Sequence, residues 1–226
     1  MYLDIYYIIL VIPALFLSMY AQAKVNSTFN KYAQVLSRRG LTASDVARMI
    51  LQRNGLGDIP VEHISGKLSD HYDPKAKVVR LSDSVYNSTS IASIGVAAHE
   101  CGHAIQHATS YSPLSIRNSI YPIVSISSNL SMPLIILGFI FGAANLVELG
   151  IILFAAVVLF QIITLPVEFN ASRRALTILD ENGILDGEEL ISTKKVLSAA
   201  ALTYVAAAVV AVANLLRLIL VFRDRD

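Results

Sequence analysis

Ala97-Ala98-His99-Glu100-Cys101-Gly102-His103-Ala104 places two histidines four residues apart, with a carboxylate directly after the first. On an α-helix, residues four apart share a face, so His99 and His103 can reach one metal ion together. Glu100 is then placed to take a proton from a water at that metal. Ser88 or Ser90 can cap a helix running through Ile91, Ile94, Val96 and Ala98 into the motif, over residues 90–109. His99, His103 and His107, three of the chain's five histidines, fall in this one apolar, small-residue-rich segment. Unpartnered imidazoles are costly in such a setting, so one bound Zn2+ is a better reading than a buried helix with two hydrogen-bonded histidines.

Outward from the motif, the chain is 54% hydrophobic and only 15% charged over 226 residues. A soluble domain carries about a quarter charged residues, so this balance indicates a membrane protein. A net charge of +1 gives no basis for a nucleic-acid partner. Cys101 is the only cysteine, which excludes an intrachain disulfide and a multi-cysteine zinc site. It reads as a small helix residue.

Four apolar segments, near Ile5–Ala21, Ile120–Phe141, Leu146–Val167 and Ala199–Val221, each approach the ~20 residues that a helix needs to cross a bilayer. The first has an acid (Asp4) where a secretory signal has basic residues, so it reads as a retained anchor. The expected organisation is a first transmembrane helix over 1–22, a catalytic region over 23–118, a transmembrane hairpin over 119–167, a segment over 168–198 and a last transmembrane helix over 199–222. Four crossings place both long polar segments on one side of the membrane and both termini on the other. Lys24, Lys31, Arg38, Arg39, Arg117, Arg173, Arg174, Lys194 and Lys195 lie on the catalytic side, against Arg217, Arg223 and Arg225 on the other. The positive-inside rule therefore predicts a cytoplasmic catalytic side. Ser119, Ser125, Ser127, Ser128, Ser131, Pro122 and Pro133 in the second span favour close helix packing over a substrate groove.

Within the polar region, residues 30–39 read as a short amphipathic helix. Thr42 or Ser44 caps a further helix through Val46, Met49, Ile50 and Leu51, stopped by Asn54-Gly55. Val61–Ile64 and Lys77–Leu81 read as strands, with a turn at Asp73-Pro74-Lys75. Val78–Leu81 is the candidate edge to which an extended substrate adds, against the alternative of an ordinary hairpin. His63 and His71 read as surface residues.

A catalytic zinc takes three protein ligands and leaves one position for water. The candidates for the third are His107, Asp186 in Leu185-Asp186-Gly187, and Glu168, with Pro166 suiting the start of a helical segment just before it. Asp186 would imply a site-2-like intramembrane protease, but it sits in a polar loop and the zinc helix is separate from the spans. Topology puts Glu168 on the side of His99 and His103, which favours it.

Asp70-His71-Tyr72-Asp73-Pro74, the run from Ala97 to Gln106, and Val167-Glu168-Phe169-Asn170-Ala171-Ser172 resemble the YugP-like family of bacterial membrane zinc metallopeptidases. The similarity extends over nearly the whole chain, including Thr203-Tyr204-Val205-Ala206-Ala207-Ala208. It implies a mainly α membrane protein in the bacterial plasma membrane, with four transmembrane helices and a gluzincin-like α+β catalytic region. It also implies a zinc metalloendopeptidase with His99, His103 and Glu168 as ligands and Glu100 as base. Because Glu168 abuts the third span and the zinc helix lies just before the second, the site is expected close to the bilayer surface, with membrane-associated proteins or peptides as substrates. The wider gluzincin group keeps an acid four positions after its glutamate ligand to orient a zinc histidine. Ser172 stands there in this chain, so Ser172, Asn170 or Asp180 must substitute. A zinc-stabilised scaffold without catalysis is the rival reading. Zinc held by four protein ligands would mark it.

Overall fold

A computed structural model describes residues 4–224. Met1, Tyr2 and Leu3 of the first expected span, and Arg225 of the charge comparison, lie outside the described residues. Among the described residues the protein is mainly helical, with four helices long and apolar enough to cross a membrane and one small three-stranded sheet. In chain order the elements are α1 (Ile12–Tyr32, entered through a π turn over Tyr7–Val11), α2 (Ala43–Arg53), β1 (Val61–Ile64), β2 (His71–Asp73), β3 (Val78–Ser82), α3 (Ile91–Ala108), α4 (Ser112–Phe141), α5 (Ala144–Glu181) and α6 (Gly187–Arg223).

The chain divides into two compact units. The first comprises the apolar lengths of α1, α4, α5 and α6. Its outward residues are large and apolar, among them Phe16, Met19, Ile123, Ile126, Ile140, Ile152 and Leu159. A girdle of this kind is unfavourable in water and matches hydrocarbon. Between α4 and α5 the packing is close, because a Cβ on Gly150 would stand 2.8 Å from the Ser131 carbonyl oxygen. Buried Ser127 and Ser131 contribute small side chains to the same helix. In this unit the described start of the first helix meets the end of α6, where Arg217 Nη2 donates to Asp4 Oδ2 at 2.6 Å and Tyr6 donates to Asp224 at 2.7 Å.

The second unit, residues 23–112 and 167–201, carries the sheet, α2 and α3. Its core joins Val46, Ile50 and Leu51 of α2, Val79 and Leu81 of β3, Ile91, Ile94, Ala98 and Cys101 of α3, and Leu179 and Ile184. Thr42 caps α2 by accepting from Asp45 N, and Ser90 caps α3 by accepting from Ser93 N at 3.2 Å. Asn54 ends α2, followed by Gly55 at φ +71°, where a side chain would be strained.

Three local expectations are corrected. Residues 30–39 form no separate helix: α1 continues to Tyr32, and Leu36 then bridges to Ser90. Pro166 starts no helix but lies inside α5, which runs unbroken from Ala144 to Glu181. A proline costs one backbone hydrogen bond, a cost that membrane helices accommodate through local adjustment. The third concerns the sheet, whose order is β1-β3-β2. β3 is central, parallel to β1 (Val61 opposite Val79) and antiparallel to β2 (Tyr72 opposite Val79). Both of its edges are paired, so Val78–Leu81 cannot receive a further strand. The unanticipated strand β2 is one of the two outer strands, with β1 the other.

Candidate metal centre

The motif helix α3 is buried along most of its length, which fixes its rotation and leaves His99 and His103 partly exposed on one face. Their rings stand edge to face, with centroids 4.7 Å apart. Facing them, α5 contributes Glu168, which is 3% exposed. Its Oε2 lies 3.3 Å from His99 Nε2 and 3.6 Å from His103 Nε2. The three ligand atoms all fall within 4.8 Å of one another. Gly102 permits this approach: a Cβ there would sit 2.8 Å from the Ala171 carbonyl oxygen, inside the α5 backbone.

The donor set fits zinc. Tetrahedral zinc holds nitrogen and oxygen ligands at about 2.0–2.2 Å, which puts neighbouring ligand atoms roughly 3.3 Å apart. Glu168 Oε2 is also buried and faces only the two imidazole nitrogens, so its charge has to be met there by a bound cation or by a protonated ring. His103 carries the same signature. Burial lowers its pKa, but the Glu168 and Glu100 carboxylates and Gln106 outweigh that and leave it above the ordinary histidine value. The site draws positive charge.

Glu100 is also buried, and its Oε2 accepts the Tyr72 backbone N–H at 3.0 Å. The Tyr72 hydroxyl hydrogen-bonds with His107 Nδ1 at 2.8 Å. Burial raises the Tyr72 phenol above its usual value, so it keeps its proton at neutral pH. His107 thereby takes a tyrosine partner and stands outside the group of three. Asp186 stands outside it as well, paired at the surface with Arg38 at 3.6 Å. His63 pairs with Asp83 at 2.7 Å, and His71 Nδ1 contacts the Ser69 carbonyl oxygen at 2.8 Å.

The model of a family described as "Putative neutral zinc metallopeptidase" matches residues 7–223. The chain belongs to this zinc metallopeptidase family. It is 52% identical to the "Putative membrane protease YugP" of Bacillus subtilis (strain 168), over 96% of this chain and 96% of that protein. No solved structure matches it. A protein or peptide substrate follows from the family.

Around the metallopeptidase's two histidines, a neutral group meets each ring at Nδ1. Ser172 Oγ lies 3.1 Å from His99 Nδ1. Gln106 Oε1 lies 3.0 Å from His103 Nδ1, and its Nε2 donates to the Val167 carbonyl at 2.8 Å and to Asn170 Oδ1 at 3.0 Å. Asn170 thus takes part through Gln106, whereas Asp180 is exposed. Sequence reasoning did not single out Gln106. Its signal was a glutamine one turn beyond His103 in an otherwise apolar stretch, a position where a polar residue is kept only with partners.

Proposed function

We propose that this protein is a zinc-dependent, gluzincin-like endopeptidase of the bacterial plasma membrane, cleaving membrane-associated proteins or peptides close to the bilayer surface. His99, His103 and Glu168 hold the single zinc ion, and Glu100 is the general base. The observation that carries this reading is the buried, hydrogen-bond-free Glu168 Oε2 facing two imidazole nitrogens beside a carboxylate free of any metal-ligand role.

When bound, zinc supplies Lewis-acid chemistry that makes water a nucleophile near neutral pH and polarises the scissile carbonyl. Glu100 takes the proton of the attacking water and delivers it to the leaving amine nitrogen. The Tyr72 N–H holds the Glu100 carboxylate in place for both transfers. The Tyr72 hydroxyl, kept protonated and backed by His107, donates to the oxygen on which charge develops.

Membrane proximity rests on chain connectivity. Glu168 sits in the same unbroken helix as the third apolar span, and α3 ends at Ala108, just before α4 begins at Ser112. The cytoplasmic side rests on the excess of lysine and arginine in the two polar segments. A scaffold would call for a fourth protein ligand, and the group found among the described residues has three.

The test is Glu100→Gln against Glu168→Ala in purified protein. Glu100→Gln should retain zinc and lose about 10²–10⁴-fold or more in peptide cleavage. Glu168→Ala should lose the metal. Normal cleavage by Glu100→Gln would overturn the assignment of the base.

A further inference from the structure

The hydrocarbon core of a bilayer holds no water to satisfy a polar group, so an amide facing lipid is costly unless another protein group meets it. Helix α4 carries such an amide. Asn129 lies nine residues from Ile120 and twelve from Phe141, in the middle of the second apolar segment, and it is exposed. Its Nδ2 donates to the Ser125 carbonyl at 2.8 Å, an oxygen that the Ser128 hydroxyl also reaches at 2.9 Å. Among the described residues the amide has no further partner, which leaves one N–H and the amide oxygen facing outward. The backbone adds to the same spot. Pro133 lies inside α4 and has no N–H to return to the Asn129 carbonyl four residues earlier. Two oxygens and an N–H thus stand together near mid-span.

The buried stripe of α4, formed by Val124, Ser127, Ser131, Ile135 and Gly138, turns toward the other spans. At about 3.6 residues per turn, Ser125, Asn129, Met132 and Ile136 fall on the far side of the helix. Asn129, Met132 and Ile136 are exposed, and Ser125 is half-buried. Their alternating spacing is that of a coiled-coil seam with a single asparagine in it. The chemistry of that asparagine selects what covers the seam. A lipid tail offers neither donor nor acceptor. A foreign helix would have to bring a polar group at the same depth. A second copy brings one by construction, because all copies insert the same way and their α4 helices run parallel. A two-fold axis along the membrane normal then sets each seam residue against its own equivalent. An amide is donor and acceptor at once, so Asn129 meeting its equivalent is self-complementary. A lone asparagine in such a seam fixes the pairing and its register.

We propose that the protein pairs with a second copy of itself in the membrane through this face of α4, with the two Asn129 amides bonded to each other near the midplane. The test uses the full chain in vesicles of phosphatidylethanolamine and phosphatidylglycerol. Ser125→Cys, Met132→Cys and Ile136→Cys place single thiols on the seam, whereas Ile123→Cys, Leu130→Cys and Leu137→Cys place them on an exposed flank of the same helix. With a membrane-permeant oxidant the seam set should form disulfide-linked dimers and the flank set should not. The unsubstituted chain, whose Cys101 is buried, gives the background. Energy transfer between labelled copies, followed as the protein is diluted in lipid, measures the dissociation constant. Asn129→Leu should raise it about 3–30-fold. Asn129→Gln keeps a self-complementary amide and should stay near wild type. The cross-linking pattern decides the matter even where Asn129→Leu fails to fold. A wild-type monomer at every dilution, equal cross-linking on both faces, or wild-type pairing by Asn129→Leu would each overturn the proposal. So would seam cysteines that link to another protein and not to a second copy.

Discussion

Ser172 Oγ lies 3.1 Å from His99 Nδ1, one helical turn beyond Glu168 on α5. A neutral hydroxyl thus stands beside this ring and contacts it without adding charge. Ser172→Ala should lower zinc affinity about tenfold, since the ring loses its partner but keeps its packing. Competition with a chromophoric chelator measures this. An unchanged affinity would show that the hydroxyl does not hold the ring.

Gly102 has no room for a methyl group, because the α5 backbone at Ala171 lies where its Cβ would go. Gly102→Ala should push α5 away from α3 and carry Glu168 out of reach of the histidines. We expect a loss of about 1–3 kcal/mol in stability from overpacking, together with weaker zinc binding. Thermal unfolding with and without excess zinc tests it: the stabilisation by zinc should shrink along with the melting temperature.

Tyr72 acts through two separate groups, its backbone N–H on Glu100 and its hydroxyl beside His107. Tyr72→Phe removes only the second. The variant should bind zinc as wild type does but lose about a hundredfold in kcat, with KM little changed. Equal kcat values would reduce the hydroxyl to a packing contact with His107.

Asp73 shapes the turn that presents β2. Its carboxylate accepts from the backbone N–H of Ala76 and Lys75 and pairs with Arg80 at 2.8 Å, which holds its pKa down to about 2 from an ordinary 3.8. A depressed carboxylate stabilises the folded state above its ordinary value, and that contribution disappears as pH falls from about 4 to about 2. Amide exchange at Lys75 and Ala76 should therefore be faster in Asp73→Asn than in wild type at pH 6. The difference should close as the pH approaches 2. A pH-independent difference would remove the charge from the explanation.

What could be read in the letters and what could not divide along one physical line. The four apolar helices were legible because a bilayer imposes a length and a polarity on each segment separately. The shared face of His99 and His103 on α3 was legible because helical periodicity makes them neighbours whatever surrounds them. The caps Thr42 and Ser90 are likewise local, and Glu168 was favoured by counting membrane crossings. β2 escaped because it spans only His71–Asp73 and owes its existence to pairing with β3. The central place of β3 escaped for the same reason, since strand order is a long-range property with no local periodicity to report it. Pro166 misled because a propensity for helix starts yields to a membrane helix that tolerates the missing bond.

By itself, then, the sequence determined a membrane protein bearing a two-histidine, one-glutamate helix, since those features depend on residues within a few turns of one another. Only the tertiary structure brought Glu168 beside both histidines, set Ser172 and Gln106 against the two rings, and placed β3 between β1 and β2. Each of those depends on how closely α5 meets α3 or how three strands order themselves. Such distances are set by a glycine at one helix crossing and by pairing between remote segments, which no single stretch of chain encodes.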